Sequence, residues 1–195
     1  MDAILVSRDR EKLLNAIVYF VRETNHCHTL KLFKLLNFSD FEHFRQTGRT
    51  MFGLDYRALP RGPVPTALLK ELERGGDKDL KAAIHLVEIR DDITDELKRR
   101  DLKPKVDFDK KFFSKRELRI MERVAEFFKE LRGDDMSEFS HMKGLPWRSV
   151  YQGGKGTGHT IPPDLGLNAD SIVHDAPTIE REEMEFRREL LRDSA

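Results

Sequence analysis

The chain has 195 residues, of which 38% are hydrophobic and 36% charged, and its 35 Lys plus Arg are balanced by 35 Asp plus Glu. That length suits one domain with an appended tail, and the composition is leaner than an average globular chain but far from a disordered one. A net charge of zero leaves no long-range field to gather a polyanion, which disfavours nucleic acid as the main partner.

The single cysteine, Cys27, cannot close an intramolecular disulfide and reads as a small buried thiol in a reducing compartment, so a cytoplasmic protein is expected. The opening Met1 to Val6 has neither a basic n-region nor a long apolar run, and no stretch approaches ~18 uncharged apolar residues. Neither export nor a membrane span is expected.

Ser7 or Asp9 can cap a first helix whose Leu13, Leu14, Ile17, Val18 and Val21 recur at helical spacing. From Thr29 the segment Leu30-Lys31-Leu32-Phe33-Lys34-Leu35-Leu36-Asn37-Phe38 runs on to Phe41 and Phe44, apolar nearly all round, until Gly48 supplies a C-terminal stop. Such a helix belongs at the centre. Gly53 divides two short β-prone runs between Arg49 and Leu59, which predicts a small hairpin there. Pro60, Gly62, Pro63 and Pro65 then predict a rigid turn before a short helix from Thr66, ended by Gly75 and Gly76.

Good helix formers from Asp77 to Arg100, with Leu80, Ile84, Val87 and Ile93 at roughly helical intervals, predict a charged helical insert at about 77–111. Ser114-Lys-Arg-Glu117 is a capping-box pattern ahead of the stripe Leu118, Met121, Val124, Ala125, Phe128 and Leu131, ending at Gly133. Asp135 to Glu138 can cap another short helix, and Pro146-Trp147 begins a further turn. The run from Gly153 to Gly158 reads as an exposed loop. Pro177-Thr178 can start a terminal helix with acidic residues early and arginines late, matching the helix dipole, and Ile179, Phe186 and Leu190 share one narrow apolar face.

Several constellations invite chemistry. Gly153 to Thr160 nearly spells a phosphate loop, but His159 stands where lysine belongs and Ile161-Pro162-Pro163 blocks the helix that should follow. His26, Cys27 and His28 are consecutive and point apart, with no second cluster at chelating spacing, so neither a metal nor a cofactor is expected. Asp40 and His43 stand i, i+3 on the second helix, close enough either to pair for acid–base work or to tether neighbouring elements. Lys31, Lys34, Arg45 and Arg49 form a modest basic group interrupted by Asp40 and Glu42, which keeps a nucleic-acid patch open as an alternative. No catalytic serine or thiol signature is present, so no enzyme is expected.

Four pieces are more specific together than singly. They are Lys31-Leu-Phe-Lys34-Leu35-Leu36-Asn-Phe-Ser-Asp40-Phe-Glu-His43, then Gly48-Arg49, then Tyr56-Arg-Ala-Leu-Pro-Arg61-Gly62-Pro63-Val64-Pro65, and last Phe139-Ser-His141 with Pro146-Trp147. In order and spacing they resemble the Panacea domain of the SocA-like antitoxin family. The resemblance implies residues 1–165 as a Panacea domain that is mainly α, a compact multi-helix domain with a small β-hairpin, followed by a tail over 166–195 with the amphipathic C-terminal helix. It further implies an antitoxin that neutralises a cognate protein toxin by direct binding in a toxin–antitoxin module. The alternatives are an adaptor that delivers the toxin to a protease, a DNA-binding regulator, or a metal-dependent enzyme using Asp40, His43 and His141. Partner surfaces favour aromatic and arginine anchors, so Phe52, Tyr56, Arg61, Trp147 and the face of Ile179, Phe186 and Leu190 are candidate contacts, with core packing as the alternative for Tyr56 and Trp147.

Overall fold

Helix α2, Thr29–Thr47, is the axis of the molecule: fourteen of its nineteen residues are buried, and Leu32, Leu35 and Leu36 are wholly enclosed. The computed structural model describes residues 2–169. Helix α1, Asp2–Glu23, lies against α2 and contributes Leu13, Ala16, Ile17, Phe20 and Val21 to the main core. It begins before Ser7 and Asp9, so neither residue is its cap; nothing between Asp2 and Ser7 breaks a helix. Gly48 ends α2 in the left-handed region at φ 72°, with its N–H donating to the Phe44 carbonyl, as its position after the apolar run predicts.

The expected hairpin between Arg49 and Leu59 is shifted along the chain. Its strands are β1, Tyr56–Leu59, and β2, Gly62–Pro65, so the proline-rich stretch is the second strand rather than a turn before a helix. Two prolines are tolerated there because β2 pairs with β1 alone, as an edge strand. Helix α3, Thr66–Glu73, follows directly.

The insert is a larger correction. A short helix α4, Lys78–Ala83, gives way to an antiparallel hairpin of β3, Ile84–Arg90, and β4, Leu97–Pro104. Ile84, Val87 and Ile89 are β-branched, and the Asp91 carboxylate accepts from the Ile93 and Thr94 amides to make the reversal. Leu80, Ile84 and Leu102 reach the core, whereas Ile93, which a helical reading places on the apolar face, is 93% exposed at the tip.

Helix α5, Lys115–Phe128, carries the expected capping box in full: Ser114 Oγ accepts from the Glu117 amide, and Glu117 Oε2 accepts from the Ser114 amide at 2.7 Å. It buries Ile120, Met121, Val124, Ala125 and Phe128 against α2. Helices α6, Gly133–Ser140, and α7, Pro146–Tyr151, close the far side. The run from Gly153 to Gly158 is not a free loop, because its end is laced to β1. The Gly158 amide donates to the Ala58 carbonyl, the Ala58 amide to the His159 carbonyl, and the Ile161 amide to the Tyr56 carbonyl. The fold is mainly α, with two small antiparallel two-stranded sheets among the described residues. The terminal helix expected over 177–192, with Ile179, Phe186 and Leu190, lies outside the described residues.

Candidate functional site

Two lysines three residues apart on α2 point into the interior, and among the described residues no carboxylate pairs with either. Lys31 is wholly buried, and its Nζ donates to the carbonyls of Asn25 at 2.7 Å, Lys129 at 2.9 Å and Leu131 at 2.6 Å. An ammonium has three N–H donors, and here each has an acceptor. Two of those carbonyls lie just past the end of α5, where the negative pole of the helix favours a cation. Lys31 thereby ties the end of α1 to the end of α5. Helix α5 stops at Phe128, short of the expected Gly133, and beyond it the Lys129 and Leu131 carbonyls turn to Lys31, the Lys129 carbonyl also receiving the Asn25 amide.

Lys34 is also wholly buried, but it has two acceptors, the Arg61 carbonyl at 2.5 Å and the Pro63 carbonyl at 3.4 Å. It braces the β1–β2 turn from beneath. Gly62, at φ 106°, sits so close that a Cβ there would collide with Lys34 Nζ and crowd Ser140 Oγ. Burial, with a smaller contribution from the Arg61 cation, pushes Lys34 down to about 7. A neutral amine with two N–H groups matches the two carbonyls available.

Six residues further along α2, Asp40 Oδ1 accepts from the Met51 amide at 2.6 Å and the Phe52 amide at 2.8 Å, and Oδ2 accepts from Tyr56 Oη at 2.9 Å. Full burial raises its carboxyl to about 7, against the pull of those three donors. Asp40 therefore tethers the 51–56 connection to α2 and does not pair with His43. The His43 ring turns the other way, with Nδ1 2.7 Å from the Arg49 carbonyl and Nε2 3.9 Å from Glu117. Glu117 itself pairs with Lys12, a tie between α1 and α5 that sequence spacing does not reveal.

The late motif segment locks onto the same hairpin. Trp147 Nε1 donates to the Leu59 carbonyl at 2.9 Å, and the indole is stacked between His141, at 3.7 Å between ring centres, and Tyr151 at 4.3 Å. Val64 fills the core beside α2. Thus Lys31, Lys34, Leu35, Leu36, Asp40, Gly62, Pro63, Val64, His141 and Trp147 come together as one interior framework, while Gly48 caps α2 and His43 sits at its margin.

Phe52, Tyr56 and Trp147, expected as partner anchors, are 4%, 2% and 6% exposed and are committed to the interior. Of the candidate contacts among the described residues, Arg61 alone has an exposed side chain, 66% open and paired with Asp134. The basic group on α2 is no surface patch either, since Lys31, Lys34 and Arg45 are all buried. Among the described residues no cluster of His, Cys, Asp or Glu is arranged to hold a metal, and no helix is long and apolar enough to cross a membrane.

Buried lysines directed at backbone carbonyls and a buried carboxyl group directed at backbone amides hold loops in place, an arrangement that builds a structural scaffold. The family described as antitoxin SocA-like, Panacea domain, matches residues 32–148, more than half of the chain, from within the first turn of α2 to just past Trp147. The chain belongs to this family, and its general role is that of an antitoxin. No curated protein and no solved structure matches it.

Proposed function

We propose that this antitoxin neutralises a cognate protein toxin by direct protein–protein contact. The observation that carries the reading is that the hydrogen-bonding residues of the motif segments, Lys31, Lys34, Asp40 and Trp147, all make their hydrogen bonds inside the molecule. They organise a framework, and the work of recognition falls to the exterior. A toxin held in this way is inactive because its own surface is covered, and no chemistry is required of the antitoxin.

Co-expression with the product of the adjacent reading frame tests this. Growth is rescued and the two chains co-purify if the reading is right; toxicity that persists without co-purification would falsify it. A toxin that is instead degraded faster in the presence of this chain, followed by pulse-chase, replaces sequestration with delivery to a protease.

A further inference from the structure

Beside the framework, between the first turn of α2, the β1–β2 turn, α3 and strand β4, lies an open groove of about 1010 Å³. Its floor is apolar, made by Leu30, Phe33, Leu59, Val64 and Leu69. Its walls carry Arg61, Lys98, Arg99, Arg100 and Arg132 against Glu73, Asp101 and Asp134. The pairs Arg61–Asp134 and Arg99–Asp101 are solvent-exposed and hold their partners weakly. Lys98 and Arg100 pair with Asp91 and Glu88, which do not line the groove. Five cationic side chains thus line the groove against three carboxylates, and Arg132 is the one of the five with no ion pair among the described residues.

Two backbone features add to it. Helix α2 opens here with His28 as its N-cap, no side-chain capping bond and no acidic residue in its first turn, so its positive end has no capping acid of its own, and Asp101 and Asp134 approach it from other elements. The outer edge of β4 forms one wall. The Leu102 amide on that edge donates to the Cys27 carbonyl, and His28 bridges Asp101. Alternation along an antiparallel strand turns the Arg100 amide to the same edge; the Arg100 carbonyl there accepts from Thr29 Oγ1 at 3.3 Å, and beyond it the strand runs on toward Leu97 along the groove.

We propose that this groove receives an extended acidic segment of a partner polypeptide. The segment adds as a strand along β4, with apolar side chains on the leucine floor and carboxylates against Arg99 and Arg132. Single-stranded nucleic acid fits less well, because the one aromatic ring of the floor, Phe33, is 2% exposed and offers no face for a base to stack on. As an account of toxin binding, the proposal rests on the reading given above.

The test uses the full-length chain and fluorescence anisotropy with three labelled probes: a nine-residue peptide alternating Glu with Val and Thr, the same peptide with Lys for Glu, and a ten-residue oligothymidylate. Saturable binding of the acidic peptide alone is expected, weakened at least tenfold by Arg99→Glu with Arg132→Glu and by raised salt. Arg99→Glu alone serves if melting shows that the double variant is unfolded. No saturable binding of the acidic peptide, equal binding of the basic one, or tighter binding of the oligonucleotide overturns the proposal. The toxin then separates the two readings. If wild type captures it and the folded variant captures it equally well, the groove assignment is wrong while toxin binding stands. If wild type captures nothing, toxin binding fails, and the peptide measurements alone decide whether the groove takes acidic chains.

Discussion

Replacing Lys34 by methionine should change how the protein responds to alkali. The side chain is wholly buried, and its ammonium is pushed down to about 7 from an ordinary 10.5. Between those two values the unfolded chain holds a proton that the folded chain has released, so stability rises as pH rises through the window. A full proton of difference corresponds to about 1.4 kcal/mol per pH unit, and allowing for incomplete release the wild type should gain about 2 kcal/mol between pH 7.5 and 9.5. For a domain of this size that is about 4–8 °C in melting temperature. Lys34→Met has no proton to release there. It also strips the Arg61 and Pro63 carbonyls of their donor, at about 1–3 kcal/mol each, so it melts lower throughout. The assay is thermal unfolding of both proteins across that range, with the other titrating groups cancelling in the difference. The gap between them should widen by those 4–8 °C as pH rises; a gap that stays constant or narrows would show that Lys34 remains a charged ammonium in the fold.

Asp40→Ala leaves the Met51 and Phe52 amides and the Tyr56 hydroxyl without their acceptor, and a loss of about 3 kcal/mol or more is expected from urea unfolding. Unchanged stability together with lost toxin neutralisation would instead mark Asp40 as a contact. Gly62→Ala combines a φ of 106° with a collision against Lys34 and should cost about 2 kcal/mol or more, read as a lowered urea midpoint. Arg61→Glu should leave the unfolding free energy within about 0.5 kcal/mol of wild type, read from urea unfolding, since its side chain pairs with the exposed Asp134 while its carbonyl still receives Lys34. A large loss there would show that the side chain, and not its backbone, is the structural element.

Much of the fold was legible in the chain. The capping box at Ser114 and Glu117, the glycine stop after α2 and the all-round apolar character of α2 are local signals, and each has a local physical cause. The stretch after Asp77 was misleading because its apolar spacing suits a helix as well as a strand. The choice fell to the Asp91 reversal and to β3–β4 pairing, which no short window contains. The hairpin of β1 and β2 was displaced for a related reason: prolines argue against a strand until one knows it lies at an edge with a lysine beneath it. The motif residues themselves could be picked out, yet their role could not. Lysines in an apolar helix read equally well as a basic patch, and the carbonyls that draw Lys31 and Lys34 inward belong to residues up to 100 positions away. Two lysines at i, i+3 inside an otherwise apolar run were the signal that could have exposed this, because a solvated pair would leave apolar neighbours on the same face.

The choice of acceptor has a consequence for recognition. Lys31 and Lys34 hold the backbone oxygens of Asn25, Arg61, Pro63, Lys129 and Leu131, and no side chain among them. A carbonyl is present whatever residue carries it, so these braces ask little of the side chains that project outward from the same loops. Arg61 and Arg132 stand on or next to braced segments and line the groove, while strand β4, with Lys98 to Arg100, belongs to a hairpin that owes its shape to its own pairing. Side-chain chemistry on the outside can therefore change with little effect on the framework. Ion pairs between side chains in those loops would couple each surface substitution to stability; backbone-directed lysines remove that coupling, which is what a scaffold needs if its face is to be matched to a particular partner.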